Sequence, residues 1–236
     1  MNNVAFTMAK NEAELLPIWL KYYQPHFEKI FVLNDGSTDG SIEKCQKDFE
    51  FEVIELRKTG ESYLDRRVRE VGGFFHKLAL DYDWVLFADV DEFVVPDPEK
   101  YKGLRDYIEK AKGNMVTCTG WEIIQMEGEK PVDFSNSLLA QRKKLVKVLV
   151  YNKTILSRVP IMFKKGFHCP ESFGIEGREQ EFMAKAADPA LIMIHLQRMD
   201  LDLYQKRRTI DKRGLERFYA DRGKEIDIPE RFKKLF

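Results

Sequence analysis

Two rhythms of apolar and polar positions alternate along the first hundred residues. Residues 3–8 form a short apolar run that predicts a strand, after which Trp19, Leu20 and Tyr23 fall on one face of a helix. Pro17 belongs to the first turn of that helix, where a missing N–H costs nothing. Lys29–Asn34 (KIFVLN) predicts a second strand, closed by the turn-rich Asp35-Gly36-Ser37-Thr38-Asp39-Gly40. A helix through Ile42–Phe49, a strand through Phe51–Leu56 and a long helix over residues 62–80 follow. Trp84–Ala88 is the most apolar strand of the chain. Strands and helices alternating at this spacing predict right-handed βαβ units around a mostly parallel sheet flanked by helices.

Beyond residue 95 the rhythm loosens. Strand-like stretches occur at Met115–Gly120, Leu145–Val150 and Ala190–Ile194, and the basic segment 201–222 predicts a helix. Neither a repeat nor a clear linker divides the chain. The expectation is one α/β domain over residues 1–236, with a regular half (1–95) and a less regular half (96–236).

Composition narrows the function. The 236 residues suffice for one sizeable core. Thirty-nine basic and 39 acidic residues balance, which argues against nucleic acid as a partner. Cys45, Cys118 and Cys169 show no CxxC spacing, so free buried thiols in a reducing compartment are expected. The N-terminus has no basic segment leading to a cleavage site, and no apolar run approaches the ~20 residues of a spanning helix. These features predict a cytoplasmic protein. The ending Phe232-Lys233-Lys234-Leu235-Phe236 is basic and aromatic, consistent with peripheral membrane contact or with a packed terminus.

The candidate chemistry is positional. Lys10-Asn11-Glu12 follows the first strand, Asn34-Asp35-Gly36-Ser37 the second, Asp89-Val90-Asp91-Glu92 the apolar strand, and His195 the run Ala190–Ile194. In an open parallel sheet, ligands bind beyond the carboxyl ends of the strands, so these groups are expected to meet in one crevice. Asp89-x-Asp91 offers hard oxygen ligands suited to Mg²⁺ or Mn²⁺ with a substrate phosphate, although Asp-x-Asp is also ordinary turn material. Asp35 fits either a turn or an acceptor for a nucleobase N–H. His195 reads as a third metal ligand or a core histidine, and His168 as an acceptor or metal contact or a loop residue. His26 and His76 fall in helical segments and read as structural. Arg66-Arg67 and Arg207-Arg208 are solvated helix faces or phosphate contacts. GxGxxG, GxxxxGK[ST] and GxSxG are all absent, which removes the motif support for a dinucleotide enzyme, a P-loop enzyme or a serine hydrolase.

Taken in order, Lys10-Asn11-Glu12, the run Asn34–Ser41, the run Asp83–Phe93 and His195-Leu196-Gln197-Arg198-Met199-Asp200 resemble family 2 glycosyltransferases of GT-A fold. The Asp-x-Asp-Glu-Phe string is similar to a bacterial branch of that family. The resemblance covers residues 3–95 well and 164–210 loosely. It implies a nucleotide-sugar donor, a glycan or lipid-linked acceptor and bacterial surface-polysaccharide synthesis. It maps nucleobase contact onto Asp35, donor-sugar and ribose contact onto Asp89, and the metal onto Asp91 and His195, with the backbone of Ala9, Lys10, Asn11 and Glu12 lining the nucleotide pocket. Arg66, from the basic pair, is the further candidate for nucleotide contact. The family's Glu-Asp pair that carries the catalytic base is missing, leaving Glu122 in Gly120-Trp121-Glu122 as the candidate base. Alternatives to inverting glycosyl transfer are a metal-dependent nucleotidyltransferase and a non-catalytic nucleotide-sugar or glycan-binding protein. A glycoside hydrolase fits least, since its paired carboxylates need no nucleotide or metal.

Overall fold

A computed structural model describes residues 1–164, 170, 179–207, 218 and 225–235. The first half follows the sequence pattern closely. Strands β1 (Asn3–Ala9), β2 (Lys29–Asn34), β3 (Glu52–Glu55) and β4 (Trp84–Phe87) are linked by helices α1 (Leu16–Tyr23), α2 (Ser41–Asp48) and α3 (Tyr63–Asp81). They pair in parallel in the order β3-β2-β1-β4, so the chain reverses direction across the sheet at β1. All seven positions of β1 are buried, because helices cover both of its faces. Ala5 and Ala9 join the cluster containing Trp19 and Tyr23 of α1, whereas Val4, Phe6 and Met8 join Val71 and Phe75 of α3. That split is the two-residue period of a strand.

Local signals explain the helix starts. Pro17 occupies the first turn of α1. The Ser62 hydroxyl accepts the Asp65 amide at 3.2 Å to cap α3. Ahead of α2, Gly40 sits at φ +72°, and Asp39 accepts both the Ser41 amide (3.0 Å) and its hydroxyl (2.6 Å).

The second half departs from the expected parallel sheet. It comprises β5 (Glu92–Pro96), α4 (Leu104–Lys110), β6 (Met115–Ile124), β7 (Lys144–Lys147), β8 (Lys153–Ser157), α5 (Glu179–Ala186), β9 (Ala187–Arg198), α6 (Leu201–Arg207) and β10 (Glu225–Asp227). From β4 the sheet continues β8-β6-β7-β10, every step antiparallel. β9 pairs with β6 in parallel and with β5 antiparallel. The molecule is therefore α/β with a mixed sheet, parallel through β3-β2-β1-β4. The expected strand over 145–150 ends at Lys147, where a 3₁₀ turn over Leu149–Tyr151 takes over. Of the helix expected over 201–222, Leu201–Arg207 is helical and most of the remainder lies outside the described residues.

Candidate functional site

A cleft of about 860 Å³ opens beyond the carboxyl ends of β1, β2 and β4, where the strand order reverses. Its floor is built from cross-linked loops. The Asp35 amide donates to the Ala9 carbonyl at 2.9 Å, and the Asn11 carboxamide accepts the Thr38 amide at 2.8 Å. Asn11 adopts φ +56°, a left-handed conformation that Asn tolerates well. Asn11 thus ties the first loop to the second. Beyond β4, the Glu92 carboxylate accepts the Asp89 amide at 2.9 Å, and the Leu196 amide of β9 holds the Asp91 carbonyl at 2.8 Å. This turn places both aspartates at the cleft.

Each cleft carboxylate meets a cation. Asp35, 2% exposed, receives both terminal nitrogens of Arg66, at 2.5 and 2.8 Å. Asp89 is bonded by Arg67 and lies 3.7 Å from the Lys153 ammonium. Lys153, 1% exposed, is bonded to Glu92 at 2.7 Å. Arg207 bonds Asp91 with one terminal nitrogen and Glu12 with the other, the latter at 2.9 Å. The His195 Nε2 lies 3.5 Å from Asp91 Oδ2.

These pairings set the proton affinities. Burial alone would raise Asp91, yet Arg207 and His195 hold its carboxyl well below the usual carboxylate range. Against the same desolvation, Arg67 and Lys153 hold Asp89 low. His195 is raised, because Asp91 outweighs a burial penalty that would favour the neutral ring. Glu12 goes the other way. Burial, reinforced by Asp91 and Asp89, pushes it up to about 7 against the pull of Arg207.

Of the residues singled out from sequence, Ala9, Lys10, Asn11, Glu12, Asp35, Asp89, Asp91 and His195 all line the cleft. Arg66 stands behind it, committed to Asp35. His168 lies outside the described residues. His195 does not follow a strand but lies inside β9, opposite Glu92 of β5, since β9 runs four residues beyond Ile194. Glu122 is the main correction. It lies within β6, is wholly buried, and receives Arg198 Nε at 2.8 Å, so it is a core ion pair and does not line the cleft. β6 continues past Gly120 because Trp121–Ile124 pair with β7, which puts Glu122 mid-strand.

Sequence reasoning missed Lys153 and Tyr63. Lys153 opens β8, and its signal was a lysine heading the apolar run Thr-Ile-Leu. Tyr63 is 54% exposed on the cleft wall, a conspicuous exposure for an aromatic ring.

Among the described residues, no three His, Cys, Asp or Glu side chains are gathered closely enough to hold a metal ion in common. The pair Asp91 Oδ2 and His195 Nε2 nevertheless fits two positions of one ion. Donors at right angles about 2.1 Å from a metal stand about 3.0 Å apart, close to the spacing seen here. Carboxylate plus imidazole also suits Mn²⁺. Asp89, by contrast, is turned to Arg67 and Lys153.

No family model matches the chain, and no curated protein does. Among solved structures it is similar to a mycobacterial protein, at 16% identity and TM-score 0.36 over 53% of this chain and 42% of that one. It is also similar to 4-diphosphocytidyl-2C-methyl-D-erythritol synthase, at 16% identity and TM-score 0.32 over 57% and 70% of the two chains. A third likeness is to the inositol-1-phosphate CTP transferase from T. maritima, at 11% identity and TM-score 0.31 over 94% and 78%. The chain spans less than half the length of the first of these, and at such TM-scores none carries an argument about function.

Proposed function

We propose that this protein is a transferase acting on a nucleoside-diphosphate sugar, moving the sugar to an acceptor hydroxyl with inversion. The observation that carries the reading is the meeting of Asp35, Asp89, Asp91 and His195 in one cleft at the strand-order reversal. The family resemblance maps donor-binding roles onto the same four positions.

The cleft divides into two ends. Asp35, fixed by Arg66, and the exposed Tyr63 ring form an end suited to a planar base. Asp91 and His195, with Arg207, form an end suited to a diphosphate and its cation. Asp91 and His195 would hold Mn²⁺ or Mg²⁺, which supplies Lewis-acid stabilisation of the leaving diphosphate when bound. Arg67 and Lys153 keep Asp89 ionised and aimed between the two ends. With Glu122 committed to Arg198, the base falls to a cleft carboxylate. Glu12 is pushed close to neutrality, the range in which a general base works best.

The test is product analysis. The purified chain is offered a panel of nucleotide sugars with Mn²⁺, and separately nucleoside triphosphates with sugar phosphates. Release of a nucleoside diphosphate, abolished in Asp91→Asn, supports sugar transfer. Release of pyrophosphate would replace it with nucleotidyl transfer. Nucleotide binding without turnover in either arm would leave a binding protein.

A further inference from the structure

A second cavity, of about 720 Å³, lies at the other end of β5. Glu92 opens that strand at the first cleft, whereas Val95 and Pro96 close it at the second cavity. The walls are apolar and aromatic, formed chiefly by Ile18, Tyr22, Phe49, Tyr101, Phe134 and Leu235. The volume lies within the roughly 300–1,000 Å³ typical of small-molecule sites.

Two features set its ligand chemistry. The lining carries Lys21, Lys102 and Lys234 but no Asp or Glu, in a chain whose basic and acidic residues balance at 39 each. The first cleft, by comparison, is lined by six carboxylates. None of these three ammonium groups forms a salt bridge among the described residues, and all three lysines are exposed. The second feature is that the Tyr22, Ser135, Asn136 and Ser137 side chains of the wall donate their hydrogen bonds to other protein groups. The Tyr22 hydroxyl donates to the Val94 carbonyl at 2.6 Å. Ser135 and Asn136 donate to Asp133, and the Ser137 hydroxyl donates to the Lys233 carbonyl. What remains for a ligand is a largely apolar interior, with His26 and Tyr101 among its walls, beneath a cationic rim. Such a site favours burial of a hydrocarbon tail with its anionic head left in the ammonium field.

We propose that this cavity binds a single-chain amphiphilic anion, its tail between α1 and the Tyr101 segment and its phosphate or carboxylate head on Lys21, Lys102 and Lys234. The proposal gives the basic, aromatic C-terminal segment a role, since Lys234 and Leu235 complete the site. It stands apart from the reading of the first cleft and does not depend on it.

Calorimetric titration with dodecyl phosphate, dodecanol and inorganic phosphate tests it directly. The expected result is saturable binding of dodecyl phosphate alone, weakened by salt. Binding should fall at least tenfold in Lys21→Gln/Lys102→Gln/Lys234→Gln, and should be lost in Ile18→Trp, which fills the cavity without altering charge. Melting temperatures of both variants serve as the folding control. Equal binding of dodecanol, binding unchanged in either variant, or no binding of dodecyl phosphate would each overturn the proposal. The lipid source is resolved by sedimentation with phosphatidylglycerol vesicles. Lysine-dependent pelleting assigns the head to a bilayer lipid, and binding of the soluble amphiphile without pelleting assigns it to a free one.

Discussion

Glu122→Gln separates a core ion pair from a catalytic base. The substitution keeps the side-chain shape and removes the charge, leaving Arg198, 3% exposed, without the carboxylate it meets at 2.8 Å. Breaking one side of a buried ion pair costs about 3–5 kcal/mol, because the remaining charge is stranded away from water. Arg198 keeps a hydrogen bond to the Phe218 carbonyl at 3.2 Å, which points to the lower part of that range. For a chain of this size each kcal/mol lowers the melting temperature by roughly 2–4 °C, so a loss near 3 kcal/mol gives an expected fall of about 6–12 °C. Calorimetric melting of the wild type, the single variant and Glu122→Gln/Arg198→Met measures it. The double variant should recover part of the loss, since a neutral pair strands no charge. Donor turnover, assayed well below the lower melting temperature, should stay within about threefold of wild type, far from the roughly 10²–10⁴ loss expected on removing a general base. An unchanged melting temperature with turnover down by that factor would return Glu122 to catalysis and refute the assignment.

Three further outcomes follow from the same geometry. Lys153→Met should destabilise by about 3–5 kcal/mol in urea unfolding, because Glu92 and Asp89 both lose their buried ammonium; a loss below about 1 kcal/mol would mean that the ion pairs are relaxed by water. Gly120→Ala would place a Cβ 2.4 Å from the Tyr151 carbonyl carbon, so overpacking of about 1–3 kcal/mol is expected, and a wild-type urea midpoint would contradict the close approach. Glu12 is pushed up to about 7 from an ordinary value of 4.5, so between those values the folded protein keeps a proton that the unfolded chain has released. That contribution is complete below pH 4.5 and is lost as pH rises through about 7, so Glu12→Gln should flatten this part of the stability profile. Parallel urea-derived profiles for variant and wild type would show that Glu12 titrates normally.

The parallel half was legible because each element carried its own signal. A proline fell in the first turn of α1, Ser62 capped α3, and β1 and β4 were continuous apolar runs. The antiparallel half was not, because its strands borrow their stability from partners far along the chain. β8 begins with a lysine, and its burial makes sense only once Glu92 and Asp89 are seen beside it. β9 includes a histidine and an arginine that pattern reading placed beyond the strand, yet both are buried, His195 beside Asp91 and Arg198 against Glu122. The candidate cleft was legible where polar residues follow strand ends, as for Asp35, Asp89 and Asp91. It was not legible where a distant helix or strand supplied the countercharge, as for Arg207 and Lys153. Glu122 was misread for the same reason, since its partner stands 76 residues away.

The order of strands also explains how two adjacent arginines serve different sites. Successive helix positions point about 100° apart, so Arg66 and Arg67 diverge from the first turn of α3. One reaches Asp35 after β2, and the other reaches Asp89 after β4. Because β1 lies between β2 and β4, these two pairs stand on either side of the loop carrying Lys10-Asn11-Glu12. Arg207 closes the third side by bridging Asp91 and Glu12, and Lys206 reaches Glu14 at 2.7 Å. Among the described residues, each carboxylate lining the cleft thus has a cationic partner. On the proposed reading, a cation held by Asp91 and His195 would free Arg207 to meet the diphosphate. Metal and nucleotide are therefore expected to bind synergistically, each tightening the other by the same factor. Replacing Arg207 by Met should break that reciprocity, strengthening metal binding on its own while weakening the nucleotide in its presence. Equal, independent affinities in the wild type would show that Arg207 never leaves Asp91.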